Sequence, residues 1–176
     1  MFIDRDVKDR EFRNCPDIKK VTFGPNVKQI GYCAFGGCEN LEEITISNSV
    51  LLIDSYAFMC TKIKNIVLPD SIVVLGNGVF QSCEELETVK LSNSLVEIHE
   101  QVFFGCSSLT SITIPDSVKM IGHETFRYCD SLVNVKLSNS LKEISSNTFK
   151  FCESLSSILI PSSELSEVNF EEGLKT

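Results

Sequence analysis

The chain has 176 residues, of which 43% are hydrophobic; that content suits one packed domain or one run of stacked repeats and excludes an intrinsically disordered chain. With 24 acidic against 16 basic side chains the net charge is −8, which argues against a nucleic acid partner. No apolar run is long enough to cross a bilayer, and charges stand among residues 1–10 where an export signal needs an apolar stretch. No transmembrane segment is expected, and location stays open between a cytosolic protein and part of a longer gene product whose leader lies elsewhere.

In chain order, Val7 and Phe12 fall in register with later segments, so residues 1–11 read as a partial first coil or an N-terminal cap. From there Phe12, Phe35, Phe58, Phe80, Phe103, Phe126 and Phe149 recur at intervals of 22 or 23 residues. Self-similarity at this period marks a solenoid. Three residues after the phenylalanine stands Cys15, Cys38, Cys83, Cys106, Cys129 or Cys152; only Cys60 follows its phenylalanine at two, so one residue is missing in the bend after Phe58. The column Ile18, Leu41, Ile63, Leu86, Leu109, Leu132, Leu155 comes next, then Val21, Ile44, Ile66, Val89, Ile112, Val135, Ile158. Two residues further are Phe23, Ile46, Leu68, Leu91, Ile114, Leu137 and Ile160. That last spacing is the strand period and predicts one short strand per repeat with two apolar residues facing inward.

Each strand runs into a turn, Gly24-Pro25-Asn26 first, then Ser-Asn-Ser at 47, 92 and 138 alternating with Pro69-Asp70-Ser71, Pro115-Asp116-Ser117 and Pro161-Ser162-Ser163. These residues preset or satisfy a turning backbone. The alternation points to growth by a duplicated two-coil unit, and a proline that removes an N–H should interrupt the sheet there. The chain returns through Val27, Val50, Ile72, Leu95, Val118, Leu141 and through Ile30, Ile53, Leu75, Ile98, Ile121, Ile144 to the next phenylalanine. One coil cannot bury its own apolar face, but stacked coils bury one another. About seven coils at the strand spacing of ~4.8 Å would form a rod of roughly 30 to 35 Å. Residues 12–161 hold the repeats, and 162–176, where the Phe-x-x-Cys pattern is lost, form an irregular C-terminal cap or a truncation. The whole of 1–176 is taken as one repeat domain.

The unit C-x-x-L-x-x-I-x-[IL]-P-x-S-[VL]-x-x-I-x-x-x-x-F resembles the BspA-like, or Treponema pallidum type, class of leucine-rich repeats over about Phe12 to Pro161. The resemblance implies a right-handed leucine-rich-repeat coil with one parallel strand per repeat on its concave side and little regular helix. It further implies a surface antigen or adhesion role, since members of the class are often surface proteins.

Candidate chemistry is sparse. The cysteine column spreads its thiols one coil apart, too far for a four-thiolate zinc site, and reads as buried core. Cys33 lies off the column and is expected to be the more exposed, reactive thiol. His99-Glu100 and His123-Glu124 lie on successive coils, with Glu100 and His123 expected to stack as a surface pair. No nucleophile elbow or phosphate loop occurs, so catalytic, cofactor-binding and metal sites are all read as absent and the protein as non-enzymatic.

Two surfaces remain. The outward strand positions form the columns Lys20, Glu43, Asn65, Thr88, Ser111, Asn134, Ser157 and Thr22, Thr45, Val67, Lys90, Thr113, Lys136, Leu159. Phe104, Arg127 and Lys150 share one slot, and Tyr128 and Phe151 the next; Arg127 over Phe104 and Tyr128 against Phe151 would make an aromatic and cationic cluster. The reading is a non-catalytic protein- or glycan-binding module using either surface, against the alternative of an intracellular scaffold for protein-protein interaction. Monomer and end-to-end association both stay open.

Overall fold

The computed structural model describes residues 1–159; Ile160, Pro161 and the segment 162–176 lie outside the described residues. The described chain is a parallel β-solenoid of about seven turns, with no helix among the described residues. Its strands, in order, are β1 (Phe2–Ile3), β2 (Lys20–Phe23), β3 (Gln29–Ile30), β4 (Glu43–Thr45), β5 (Leu52–Ile53), β6 (Asn65–Val67), β7 (Val74–Leu75), β8 (Thr88–Lys90), β9 (Glu97–Ile98), β10 (Ser111–Thr113), β11 (Met120–Ile121), β12 (Asn134–Lys136), β13 (Glu143–Ile144) and β14 (Ser157–Leu159). The even-numbered strands are the I-x-I strands read from the sequence. The odd-numbered strands after β1 form a second column of two-residue strands built on Ile30, Ile53, Leu75, Ile98, Ile121 and Ile144. At the N-terminus β1 pairs with β2, and Val7 bridges Ile30.

The core is a stack of columns. Phe35, Phe58, Phe80, Phe103 and Phe126 are fully buried, and successive rings from Phe12 to Phe149 stack at centroid distances of 5.1 to 5.9 Å with interplanar angles no larger than 16°. The cysteine slot has a specific reason. The Cys106 thiol donates to the Phe80 carbonyl of the preceding coil at 3.2 Å, and Cys38, Cys83, Cys129 and Cys152 repeat the bond to Phe12, Phe58, Phe103 and Phe126. A small side chain with one weak donor fits there because the acceptor is a buried backbone oxygen.

Cys60 departs from the column. Thr61 occupies the buried slot and donates to the Phe58 carbonyl at 2.9 Å, while Cys60 is exposed. The missing residue therefore lies between Thr61 and Ile63. Cys33 is a correction of the opposite kind: it is 4% exposed, and the accessible thiol is Cys60.

Between the second strand and the cysteine, each coil bends twice through left-handed backbone. Arg10, Cys33, Tyr56, Gly78, Gln101, Glu124 and Asn147 form one positive-φ column; Asn14, Gly37, Cys60, Ser82, Gly105, Tyr128 and Phe151 form the other. Two such bends per turn close the coil without a helix.

The even-numbered ladder is interrupted between β4 and β6 and again between β8 and β10, leaving sheets β1-β2-β4, β6-β8 and β10-β12-β14. In the first coils the Gly24 N–H donates to the Ile3 carbonyl of the preceding turn at 2.7 Å. Pro69 and Pro115 hold the equivalent slot and both interruptions fall there, although Ser47, Ser92 and Ser138 in the same slot at paired junctions donate no such bond either. β12 and β14 stay paired. The second column is also interrupted, between β7 and β9, and nothing in the structure explains that gap. The two-coil unit has a physical counterpart: the carboxylates of Asp70 and Asp116 accept the backbone N–H and side-chain amide of Asn93 and Asn139 on the next coil at 2.9 to 3.2 Å. These bonds hold both carboxyls below their usual pKa.

Candidate functional site

The strand face is built by the pleat. Because inward residues are fixed in the core, the alternate positions are forced outward in register, with Asn65 beside Thr88, Val67 beside Lys90, Ser111 beside Asn134 and Thr113 beside Lys136. All of Glu43, Thr45, Asn65, Val67, Thr88, Lys90, Ser111, Thr113, Asn134 and Lys136 are exposed. Side chains also bond along the columns: Lys20 pairs with Glu43, Thr88 donates to Asn65 at 2.5 Å, and Ser157 to Asn134 at 2.6 Å. The structure thus brings the sequence-predicted residues of this face onto one surface.

Its relief was not visible in the sequence. A groove of about 830 Å³ lies between β4 and β6, with Ile44, Ile46, Leu68, Pro69, Thr45 and Lys90 among its lining. A second, of about 360 Å³, lies between β8 and β10, with Val89, Leu91, Lys90, Thr113 and Pro115.

The second surface is assembled differently from the expectation. Tyr128 and Phe151 stack at 4.9 Å and 14°, and Phe104 meets Tyr128 edge-on at 5.5 Å. The Arg127 guanidinium lies over Tyr128 at 4.9 Å and over Phe151 at 5.3 Å, not over Phe104, and Lys150 lies 5.3 Å from the Phe151 ring. Arg127 is turned there by an ion pair with Glu124 and a 3.2 Å bond from Nη2 to the Tyr128 hydroxyl. Burial alone would raise the Glu124 carboxyl, but hydrogen bonds from Gln101 and Arg127 outweigh it and hold the group below its ordinary value.

The histidines do not pair as expected. His123 bonds Ser146 at 3.0 Å and lies 3.6 Å from Glu124, while His99 lies 3.9 Å from Glu97, so Glu100 is the ion partner of neither. Among the described residues no three His, Cys, Asp or Glu side chains converge in a way that would hold a metal. No helix among them is long and apolar enough to cross a membrane.

With this geometry in place, the chain can be set beside known proteins. A leucine-rich repeat protein from Bacteroides ovatus superposes with a TM-score of 0.83 at 28% identity over 90% of this chain, which spans about half (48%) of that protein. The Treponema pallidum leucine-rich repeat protein superposes with a TM-score of 0.80 at 31% identity, covering 86% of this chain and 72% of the other. A leucine-rich cell surface protein from Faecalibacterium prausnitzii shares the fold at a TM-score of 0.55 and 20% identity, over 95% of this chain and 66% of its own. No curated protein matches. The family described as BspA type leucine rich repeat region matches residues 5–108 and 96–172 in six copies. The stacked Phe-x-x-Cys coils are thus repeats of that family, and the chain belongs to the BspA-type leucine-rich repeat proteins.

Proposed function

We propose that this chain is a non-catalytic binding module that takes a protein ligand on its strand face. The observation that carries the reading is the register of that face, where the coils present exposed side chains in two columns, paired within β2-β4, β6-β8 and β10-β12-β14. A solenoid offers an extended recognition surface of this kind without an enclosed chamber for chemistry. Adhesion at a cell surface is the role that suits such a module; the F. prausnitzii fold relative is itself described as a cell surface protein.

A second contact surface is favoured by one observation. Tyr128 and Phe151 hold φ of 61° and 62° in a slot that other coils fill with Gly37, Gly105, Asn14, Cys60 or Ser82. Left-handed backbone costs a bulky residue about 1–2 kcal/mol, and both rings are about 40% exposed, so folding alone does not account for them.

The test is capture of matrix proteins and cell-surface fractions on the immobilised chain. A Lys90→Glu, Lys136→Glu double variant should lose capture, and Arg127→Ala with Tyr128→Ala should reduce it. Capture unchanged by both pairs would contradict both surfaces.

A further inference from the structure

The two interruptions of the strand ladder and the two grooves of the strand face coincide, and they repeat the same slots. Ile44, Thr45, Ile46 and Pro69 of the first groove correspond to Val89, Lys90, Leu91 and Pro115 of the second. Ile44 and Val89, on the last strand before each interruption, are partly exposed, whereas Ile66 and Ile112 on the far side of the same interruptions, and Val135 inside the unbroken run β10-β12-β14, are buried. The backbone is also left short of partners. Leu68 and Ile114 donate forward to the Lys90 and Lys136 carbonyls at 2.9 and 2.8 Å, but no such bond from Ile46 or Leu91 crosses the interruptions. Each groove therefore joins an apolar floor to unused backbone donors, with Lys90 lining both.

We propose that the two grooves are successive subsites for one extended peptide segment in the polyproline II conformation, lying along the solenoid axis with an apolar side chain at every third residue. This rests on the reading that the strand face takes a protein. The spacing selects the conformation. The grooves are two coils apart, which at the separation of paired strands is at least about 9.6 Å. A polyproline II chain returns to the same face every three residues, about 9.3 Å. A β-strand returns every two residues, about 6.6–6.8 Å, and would place its next inward side chain short of the second groove and the following one beyond it. An α-helix presents one face about 10.5 Å apart over seven residues, but its carbonyls are consumed internally. The polyproline II backbone has no internal hydrogen bonds, so its carbonyls are free to accept from the Ile46 and Leu91 N–H groups, from the hydroxyls of Thr45 and Thr113, and from the Lys90 ammonium between the subsites.

The test uses the full chain and a fluorescein-labelled peptide of four leucine-proline-proline triplets, read by anisotropy against a scrambled peptide of the same composition in which leucine no longer recurs every third residue. The triplet peptide should bind at least tenfold more tightly. Val67→Glu in the first groove and Thr113→Glu in the second, both at exposed positions that leave the thermal transition in place, should each weaken it tenfold or more. Val73→Ala, at an exposed position beside the second strand column, should leave it unchanged. Equal binding of the two peptides, no binding by the native chain, or displacement of the peptide by a cello-oligosaccharide from the same grooves would overturn the proposal. Should Lys90→Glu with Lys136→Glu abolish capture of a protein partner while neither peptide binds, the strand-face reading survives and this inference falls.

Discussion

Replacing Phe103 with alanine removes a fully buried ring that stacks on Phe80 at 5.8 Å and on Phe126 at 5.5 Å. Its neighbours belong to coils held by their own backbone bonds, so they cannot collapse into the space without breaking register. The loss should therefore approach the upper part of the usual range for a buried phenylalanine truncated to alanine, about 3–5 kcal/mol. Phe12 is the internal control. It is half-buried and has one stacking partner, Phe35, at 5.1 Å, so Phe12→Ala should cost roughly half as much. For a chain of this size a loss of about 3–5 kcal/mol lowers the melting temperature by roughly 6–20 °C. Urea titrations followed by circular dichroism, run on both variants and the native chain, measure the difference. A Phe103→Ala cost below about 1 kcal/mol, or one no larger than that of Phe12→Ala, would refute the continuous ring stack as the core's main support.

Three further outcomes follow from the same geometry. Native-state thiol labelling with mass-spectrometric readout should modify Cys60 first, whereas Cys83 and Cys152, whose burial pushes them up to about 11 and about 12, should react only on unfolding; labelling of Cys83 at the Cys60 rate would contradict the assignment of Thr61 to the core slot. Gly105→Ala should cost about 1 kcal/mol although a Cβ would meet nothing closer than 3.6 Å, because the penalty comes from its φ of 71°; Ser82→Gly, at φ 56°, should gain a comparable amount, and the opposite signs in urea midpoints would count against a left-handed column. Glu11 is held at about 2 by its hydrogen bonds from Arg5, against the opposing effect of burial, so its pair with Arg5 contributes stability above the ordinary carboxylate range. That contribution should fade as pH falls from about 4.5 toward about 2, and Glu11→Gln should flatten this part of the stability profile; an unchanged profile would show that the pair does not couple to folding.

Much of this fold was written in side chains whose period is visible. The Phe12 to Phe149 column and the I-x-I strands repeat at a fixed interval and have no other packing solution. The second strand column is less legible because two residues are too few to show an alternation. Its partners stand a whole coil away, as with Gln29 and Leu52. The first left-handed column leaves no residue signature: Arg10, Cys33, Tyr56, Gly78, Gln101, Glu124 and Asn147 share only a backbone angle. That explains the Cys33 and Cys60 corrections, since one-residue spacing was read as a place on the cysteine column while Cys60 sits on a bend and Thr61 in the core. The strand face was legible as a list of outward residues. Its grooves were not, because they depend on which neighbouring coils fail to pair.

The central claim, that the strand face is the binding surface, is tested most directly by methyl NMR on the isotope-labelled chain with a captured protein partner. The account predicts shifts at Ile44, Val67 and Val89, with the exposed methyls of Leu51 and Val73 beside the second strand column unmoved. Shifts confined to Leu51, Val73 and Val96, with Ile44, Val67 and Val89 silent, would contradict it.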